Sequence, residues 1–206
     1  MRNMLRQRAN FRVNSHNPFV HPEAICDSDD VGNRTRIWAF AHVMSGVRIG
    51  GSCNIGEGVF VETGASIGDG VTVKNGVSIW DLVTLESEVF VGPNAVFTND
   101  LNPRASVKKS RADLLPTRVC RGATIGANAT IVCGVTIGEF AMVGAGSVVT
   151  RSINPYELVI GNPARVVGFV CECGLRLEGD LKCECGAQYI LGDDRHLKRL
   201  LSSDEK

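Results

Sequence analysis

The sequence has no excess of charge: 22 Lys and Arg residues balance 22 Asp and Glu residues. A nucleic-acid binder carries a basic surplus, so that class of partner is disfavoured. Long apolar runs are missing as well. None approaches the roughly 18 residues needed to cross a bilayer, so no membrane insertion is expected. The opening segment MRNMLRQRANFRVNS holds four Arg but lacks the apolar core of a secretory signal. Residues 1–18 therefore read as an exposed arm, and the chain as cytoplasmic. Histidine is scarce, with His16, His21, His42 and His196 the whole supply. The eight Cys are too few for a dense disulfide framework; Cys26, Cys53, Cys120 and Cys133 are scattered and the other four cluster late. Reduced thiols with a metal knuckle suit that arrangement better than disulfides. Aromatics make up only 6% of the chain against 23 Gly, a composition of many short turns.

What is present is a beat of six. An aliphatic or aromatic residue recurs at Phe19, Ile25, Val31, Ile37, Val43, Ile49, Ile55, Val61, Ile67, Val73, Ile79, Leu85, Val91 and Phe97, then at Val119, Ile125, Ile131, Ile137, Val143 and Val149. From Ile37 onward the residue four positions later is small or aliphatic, as at Ala41, Val47, Cys53 and Val59. A period of six matches neither an α-helix nor a plain hairpin sheet. It matches a short strand and a corner, repeated, with two inward side chains per unit. Three units close a triangular coil of 18 residues. The expected fold is all-β, a parallel β-helix of about seven coils, on the order of 32 Å tall at the ~4.8 Å strand spacing. Gly32, Gly50 and Gly68 lie 18 apart and read as stacked corners where the backbone turns tightly.

The beat breaks once, at FTNDLNPRAS. From Phe97 to the next hit, Val119, there is room for one unit and an insertion at about Pro103–Arg118, giving a loop at about 99–118. A solenoid tolerates such a loop at a corner, because neighbouring coils still stack. It is either a surface excursion or a flap that reaches an adjacent subunit and walls a ligand site. One coil is 18 residues, so Asn99 stacks above Asp81, about one strand spacing apart. An Asn and an Asp supply donors and acceptors together, a seat for a polyhydroxylated, amino-bearing substrate.

The repeat of aliphatic, Gly and small residues over 19–168 resembles the hexapeptide-repeat acyltransferases. RIWAFAHV, SIWDLVTLE, FTNDLNPRAS and IGNPARVVGFV narrow the resemblance to nucleotide-linked 3-amino-sugar N-acetyltransferases. Within these it is most specific for enzymes acting on UDP-2-acetamido-3-amino-2,3-dideoxyglucuronic acid in bacterial surface-polysaccharide (O-antigen) biosynthesis. The resemblance implies a left-handed coil, a homotrimer with active sites between subunits, and acetyl-CoA as co-substrate. It also places Asn99 beside the reactive amine as the catalytic residue. Asp81, Asp100, Arg104 and His42 are the expected substrate-binding residues, with Arg104 toward the anionic part of the sugar nucleotide. The loop cations Arg104, Lys108, Lys109 and Arg111 favour a uronic acid. The rivals are a dTDP-linked 3-amino-3,6-dideoxyhexose as acceptor and a non-catalytic hexapeptide scaffold. A β-helical carbonic anhydrase would need three His, and the coils hold only His21 and His42.

No histidine falls in the loop, so no general base is evident. A sugar amine with a pKa of about 8, like an α-amino group, keeps a neutral fraction at pH 7. Alignment of two bound reactants can then carry the transfer. His42 serves either as a base across a subunit boundary or as a hydrogen-bonding corner residue. Gly126-Ala127 and Gly144-Ala145 recur 18 apart, a corner free of bulk. Ala127, Gly144 and Ala145 thus suit a pantetheine arm or merely satisfy corner sterics. IGNPAR resembles the tail of CoA-using hexapeptide proteins, which makes Arg165 a candidate for CoA phosphate.

The appendage, residues 169–206, carries Cys171, Cys173, Cys183 and Cys185 in two Cys-x-Cys-Gly elements. Four thiolates on two turns suit a structural zinc, although the common spacing is Cys-x-x-Cys. The other reading is a metal-free hairpin with reduced thiols. The final DDRHLKRLLSSDE is expected to form a short amphipathic helix.

Overall fold

The computed structural model describes residues 17–192 and 196–200. The arm assigned to 1–18 lies almost wholly outside the described residues. Short strands wrap into a three-faced parallel prism of seven coils, and an eighth begins at Glu157–Ile160. The first face runs from Phe19–Val20 through Arg36–Ile37, Asn54–Ile55, Thr72–Val73, Phe90–Val91, Thr124–Ile125 and Met142–Val143. The second runs from Ile25–Cys26 through His42–Val43, Phe60–Val61, Ser78–Ile79, Val96–Phe97, Thr130–Ile131 and Val148–Val149. The third holds Asp30–Val31, Arg48–Ile49, Ser66–Ile67, Val83–Leu85, Thr117–Val119 and Thr136–Ile137.

Inward side chains form ladders: Ile37, Ile55, Val73 and Ile125 are all 0% exposed. Each removes roughly 2–3 kcal/mol worth of apolar surface from water, an upper estimate because unfolded chains already bury some. The outward partner is polar or aromatic in most strands, as alternation of faces allows, with Val96, Met142 and Val148 among the exceptions.

The first coil departs from the expected register. Val20 pairs with Ile37 and Cys26 with Val43, offsets of 17 rather than 18. Val31 pairs with Ile49 at the full 18. The unit from Cys26 to Val31 is therefore one residue short. A one-residue slip turns every side chain to the other face, so Val20 and Cys26 hold the inward positions in place of Phe19 and Ile25. Ile25 is accordingly 54% exposed.

The glycines act differently from expectation. The corner residues with positive φ recur every sixth position, from Arg34 through Phe40, Gly46 and Ser52 to Leu82, Glu88 and Asn94. Gly32, Gly50 and Gly68 are not among them. A Cβ on Gly32 would meet the backbone nitrogen of Gly51 at 2.4 Å, and one on Gly68 would meet that of Ser87 at 2.6 Å. Close approach of the next coil, not the turn itself, demands glycine there.

The break occupies residues 98–116, since Thr117 and Arg118 already pair with Val83 and Thr84. The insertion thus ends two residues before the expected Arg118. Its only regular element is a 3-10 turn at Arg111–Asp113.

The appendage begins inside a strand. Arg165–Val170 runs antiparallel to Glu157–Ile160 and then to Arg176–Leu177, extending the first face past the expected boundary at 168. The expected C-terminal helix is contradicted. Leu197–Leu200 is a strand paired antiparallel with Gln188–Leu191. Residues 193–195 and 201–206 lie outside the described residues. Among the described residues, no helix is long and apolar enough to cross a membrane.

Candidate active site

Asn99 and Asp81 occupy the same corner, between the second and third faces, on consecutive coils. The strand Ser78–Ile79 pairs with Val96–Phe97, and the Trp80 indole N–H donates to the carbonyl of Phe97 at 2.9 Å. Asn99 is half-buried, and its carbonyl accepts the Leu115 N–H at 2.9 Å, which closes the loop at its root. Its side chain makes no hydrogen bond among the described residues. The amide is free to meet a ligand.

Asp81 is not free. The Arg111 guanidinium forks onto it, with Nε to Oδ2 at 2.6 Å and Nη2 to Oδ1 at 3.0 Å. Hydrogen bonding to Arg111 holds its carboxyl below the usual carboxylate range, and raises the arginine in turn. Its backbone N–H donates to Glu62 Oε2 at 2.8 Å. Room for this pair comes from Gly64, where a Cβ would lie 2.1 Å from Asp81 Oδ1. Asp100 pairs with Lys109, which also donates to the carbonyl of Asn102 at 2.9 Å. Asp113 caps the 3-10 turn, accepting the Ser110 N–H and hydroxyl at 2.8 Å each.

The loop therefore lies back on its own corner. Of its four cations, Lys109 and Arg111 are engaged by loop-root acids, and among the described residues only Arg104 and Lys108 form no ion pair. Both stand exposed at the tip. Arg111 and Gly64 are the residues that sequence reasoning missed in this role. The signal available was a corner glycine one coil below an acid.

His42 stands on the second face three coils below Asn99, roughly 14 Å away at the strand spacing. Its Nε2 lies 3.4 Å from Asp27 Oδ2, and its ring packs edge-on against Phe60, which tilts onto Trp80. Within one chain it does not reach Asn99.

The small-residue step forms at the other edge of the second face. Ala127 and Ala145 stack there, with Gly146 N–H donating to the Ala127 carbonyl at 2.8 Å. A Cβ on Gly126 would lie 2.5 Å from Ala145 N, and one on Gly144 2.6 Å from Ile160 Cγ2, so both glycines answer to stacking. Arg165 is exposed one coil above, and among the described residues its side chain bonds only to the neighbouring Ala164 carbonyl at 2.9 Å. This step and Asn99 are separated by the width of the face, at most roughly 20 Å for six residues at 3.3 Å each. One chain does not bring them together.

The four late cysteines do converge. Their sulfurs all lie within 4.8 Å of one another, with Cys171–Cys185 at 3.5 Å and Cys173–Cys183 at 3.4 Å. A tetrahedron of four sulfurs at about 2.3 Å from a metal has edges of about 3.8 Å, so the set fits zinc. The two Cys-x-Cys-Gly turns are built alike: Gly174 and Gly186 each donate an N–H to the carbonyl of the first Cys, at 2.8 and 2.9 Å. Burial pushes the Cys171 thiol up, but the Tyr189 hydroxyl and the Cys173 backbone outweigh it and bring it to about 7. The knuckle docks on the prism through a ladder of rings, Tyr189 on Tyr156 and Tyr156 stacked on Phe140 at 5.6 Å, with Arg121 over Phe140.

Residues 30–63 and 116–151 match the model of the bacterial transferase hexapeptide, six repeats. The chain is 52% identical over 178 residues to the dTDP-3-amino-3,6-dideoxy-alpha-D-galactopyranose 3-N-acetyltransferase of Aneurinibacillus thermoaerophilus, covering 85% of this chain and 92% of that relative. It is 39% identical over 85 residues to the serine acetyltransferase of Escherichia coli (strain K12), 39% of this chain but only 31% of that relative. A hexapeptide-repeat acetyltransferase from Vibrio cholerae O1 biovar eltor, solved with acetyl coenzyme A, is 26% identical with a TM-score of 0.50, covering 57% of this chain and 67% of that one. With a full-length likeness of this degree and the repeat visible in every coil, the chain belongs to the hexapeptide-repeat transferases, alongside the nucleotide 3-amino-sugar N-acetyltransferases.

Proposed function

We propose that the protein is an acetyl-CoA-dependent N-acetyltransferase acting on the 3-amino group of a nucleotide-linked sugar. The observation that carries this reading is the 52% identity across 92% of a relative with that named activity. The preferred acceptor is a dTDP-linked 3-amino-3,6-dideoxyhexose. A UDP-linked 2-acetamido-3-amino-glucuronic acid comes second, because two of the four loop cations that would greet a uronate already pair with Asp81 and Asp100. The product belongs to surface-polysaccharide biosynthesis, a cytoplasmic task.

In the transfer, the neutral amine attacks the thioester carbonyl. The N–C bond forms, the C–S bond breaks, and one amine proton ends on the sulfur of CoA. Asn99 orients the nitrogen through its side-chain carbonyl, and among the described residues of the same chain no histidine lies beside it to take the proton earlier. Alignment of the reactants supplies most of the acceleration. The Ala127, Gly144 and Ala145 step takes the pantetheine arm and Arg165 the CoA phosphates. Because Asn99 and that step sit at opposite edges of one face, the working site combines two chains, in a homotrimer. Arg104, at the loop tip, meets the anionic nucleotide. Incubating the protein with acetyl-CoA and a panel of dTDP- and UDP-linked amino sugars, while following thiol release, tests reaction and acceptor together. Release with no member of the panel above the hydrolysis background would leave the scaffold reading.

The four late sulfurs hold a structural zinc in this reading. Among the described residues the sulfurs bond to one another and to Tyr189 and not to the loop, so the metal orders the appendage and takes no part in transfer. Elemental analysis should find one zinc per chain. Chelation should raise hydrogen exchange over 169–200 while leaving the prism protected.

A further inference from the structure

Every carboxylate around the Asn99 corner except Glu62 has a partner that neutralises or caps it. Asp81 takes the Arg111 fork, Asp100 takes Lys109, and Asp113 closes onto Ser110. Glu62 comes from the coil below Asp81, accepts the Asp81 N–H, and stands one coil farther from Asn99. Asp81 is the carboxylate directly beneath Asn99, one strand spacing or about 4.8 Å away. An unscreened anion at that distance would hold an adjoining amine in its ammonium form, which has no lone pair for attack.

Resting on the acetyltransferase reading above, we propose that Arg111 is a positioning residue that neutralises Asp81, so that an amine bound at Asn99 stays unprotonated and nucleophilic. The loop then does two things. It closes the corner, and it delivers the one cation placed to cancel the charge beneath the reacting nitrogen. Gly64 makes this geometry available, since any side chain there would displace the Asp81 carboxylate from the fork. The low carboxyl pKa of Asp81 agrees with an anion fully committed to Arg111.

The test is kcat against pH, with saturating acetyl-CoA and the best acceptor from the panel, for wild type, R111Q, D81N and D81N/R111Q. Wild type should show one rising limb. In R111Q the limb should move up by about one pH unit, with a rate at pH 7 about tenfold lower, as expected for one charge at such a distance in a partly solvated site. The double variant should return the limb to its wild-type place, and D81N alone should move it down. R111K, which keeps the charge but loses the fork, should hold the limb. A rate that falls equally at every pH in R111Q would make Arg111 a loop anchor only and overturn the proposal, as would a limb that moves alike in R111Q and the double variant. If R111Q does not fold, the downward shift in D81N still decides, because an unmoved limb there removes Asp81 from the amine. Should wild type acetylate no amino sugar, the underlying reading falls and this one with it; an unmoved limb in an active enzyme overturns this one alone.

Discussion

The same corner is built twice on successive coils, and the two versions are held by different forces. At Asp81–Val83 the chain turns from the second face to the third through one left-handed residue, Leu82, with φ at 66°. One coil later the same turn takes residues 98–116. The tight version is flanked by fully buried Ile79 and Val83, 0% and 1% exposed. The long version buries little; every residue from Leu101 to Lys108 is exposed. It is fastened by ion pairs and a few hydrogen bonds to the coil beneath. Apolar ladders thus set the stability of the prism, while charge fixes the chemistry-bearing loop on top of it. The loop can vary without cost to the fold.

The largest effect that would break this division is in the ladder. Ile79→Ala should remove about 3–4 kcal/mol of stability, since the stacked coils cannot collapse into the cavity. Thermal or denaturant melts would read this; a loss below about 1 kcal/mol would mean the coils relax more freely than their stacking implies. Asn99→Ala should do the opposite. It should lower kcat about a hundredfold, the scale of losing one oriented contact at the reacting atom, with an unchanged melting temperature. Near-wild-type turnover would take Asn99 out of the transfer.

How much of this was visible in the sequence differs between the two regions for a physical reason. The ladders were legible from Val31 onward because the same inward position recurs every six residues, with a second small or aliphatic residue four positions later. The first coil was not, since the unit from Cys26 to Val31 is one residue short and Phe19-Val20 and Ile25-Cys26 each offer an apolar residue at either register. Pattern alone could not say which one faced in; the pairing of Val20 with Ile37 and Cys26 with Val43 decided it. The stacking of Asn99 on Asp81 followed from the period. The capture of Asp81 by Arg111 did not, because a loop has no period to read. Leu197 and Leu200 have helical spacing, yet the strand Gln188–Leu191 offered a partner for a hairpin and won. The four cysteines were legible as a set, their convergence across a short hairpin being what close spacing requires.

A smaller effect tests how well the loop rejoins the ladder. Thr117 is the first residue back in the third face, buried at 1%, between Val83 below and Val135 above. Among the described residues its hydroxyl has no hydrogen-bond partner. A buried hydroxyl left without a partner costs about 1–3 kcal/mol, so Thr117→Val should stabilise the fold by about 1 kcal/mol and leave kcat alone. Destabilisation would show that the hydroxyl is satisfied in solution, and that the junction is more open than the prism around it.

The finest separation between the two corners is their response to acid. The ladders contain no carboxylate, and burial pushes their Cys26 and Cys53 thiols up, away from the acid range, whereas the loop depends on Asp81 and Asp100, both held below the ordinary carboxylate range by Arg111 and Lys109. A carboxylate with a depressed folded pKa contributes its full stabilisation above its unfolded value near 3.9, and loses it as the pH falls through the folded value. The loop should therefore stay fastened at pH 5 and loosen only below about pH 4, before the prism responds. The Leu115 N–H, bonded to the Asn99 carbonyl, is the reporter. Its hydrogen exchange, corrected for the intrinsic rate, should lose protection between pH 5 and pH 3 while the amides of the buried ladders keep theirs. Protection lost together in both places would mean that the loop and the coils open as one unit, and that charge does not hold the loop separately from the fold.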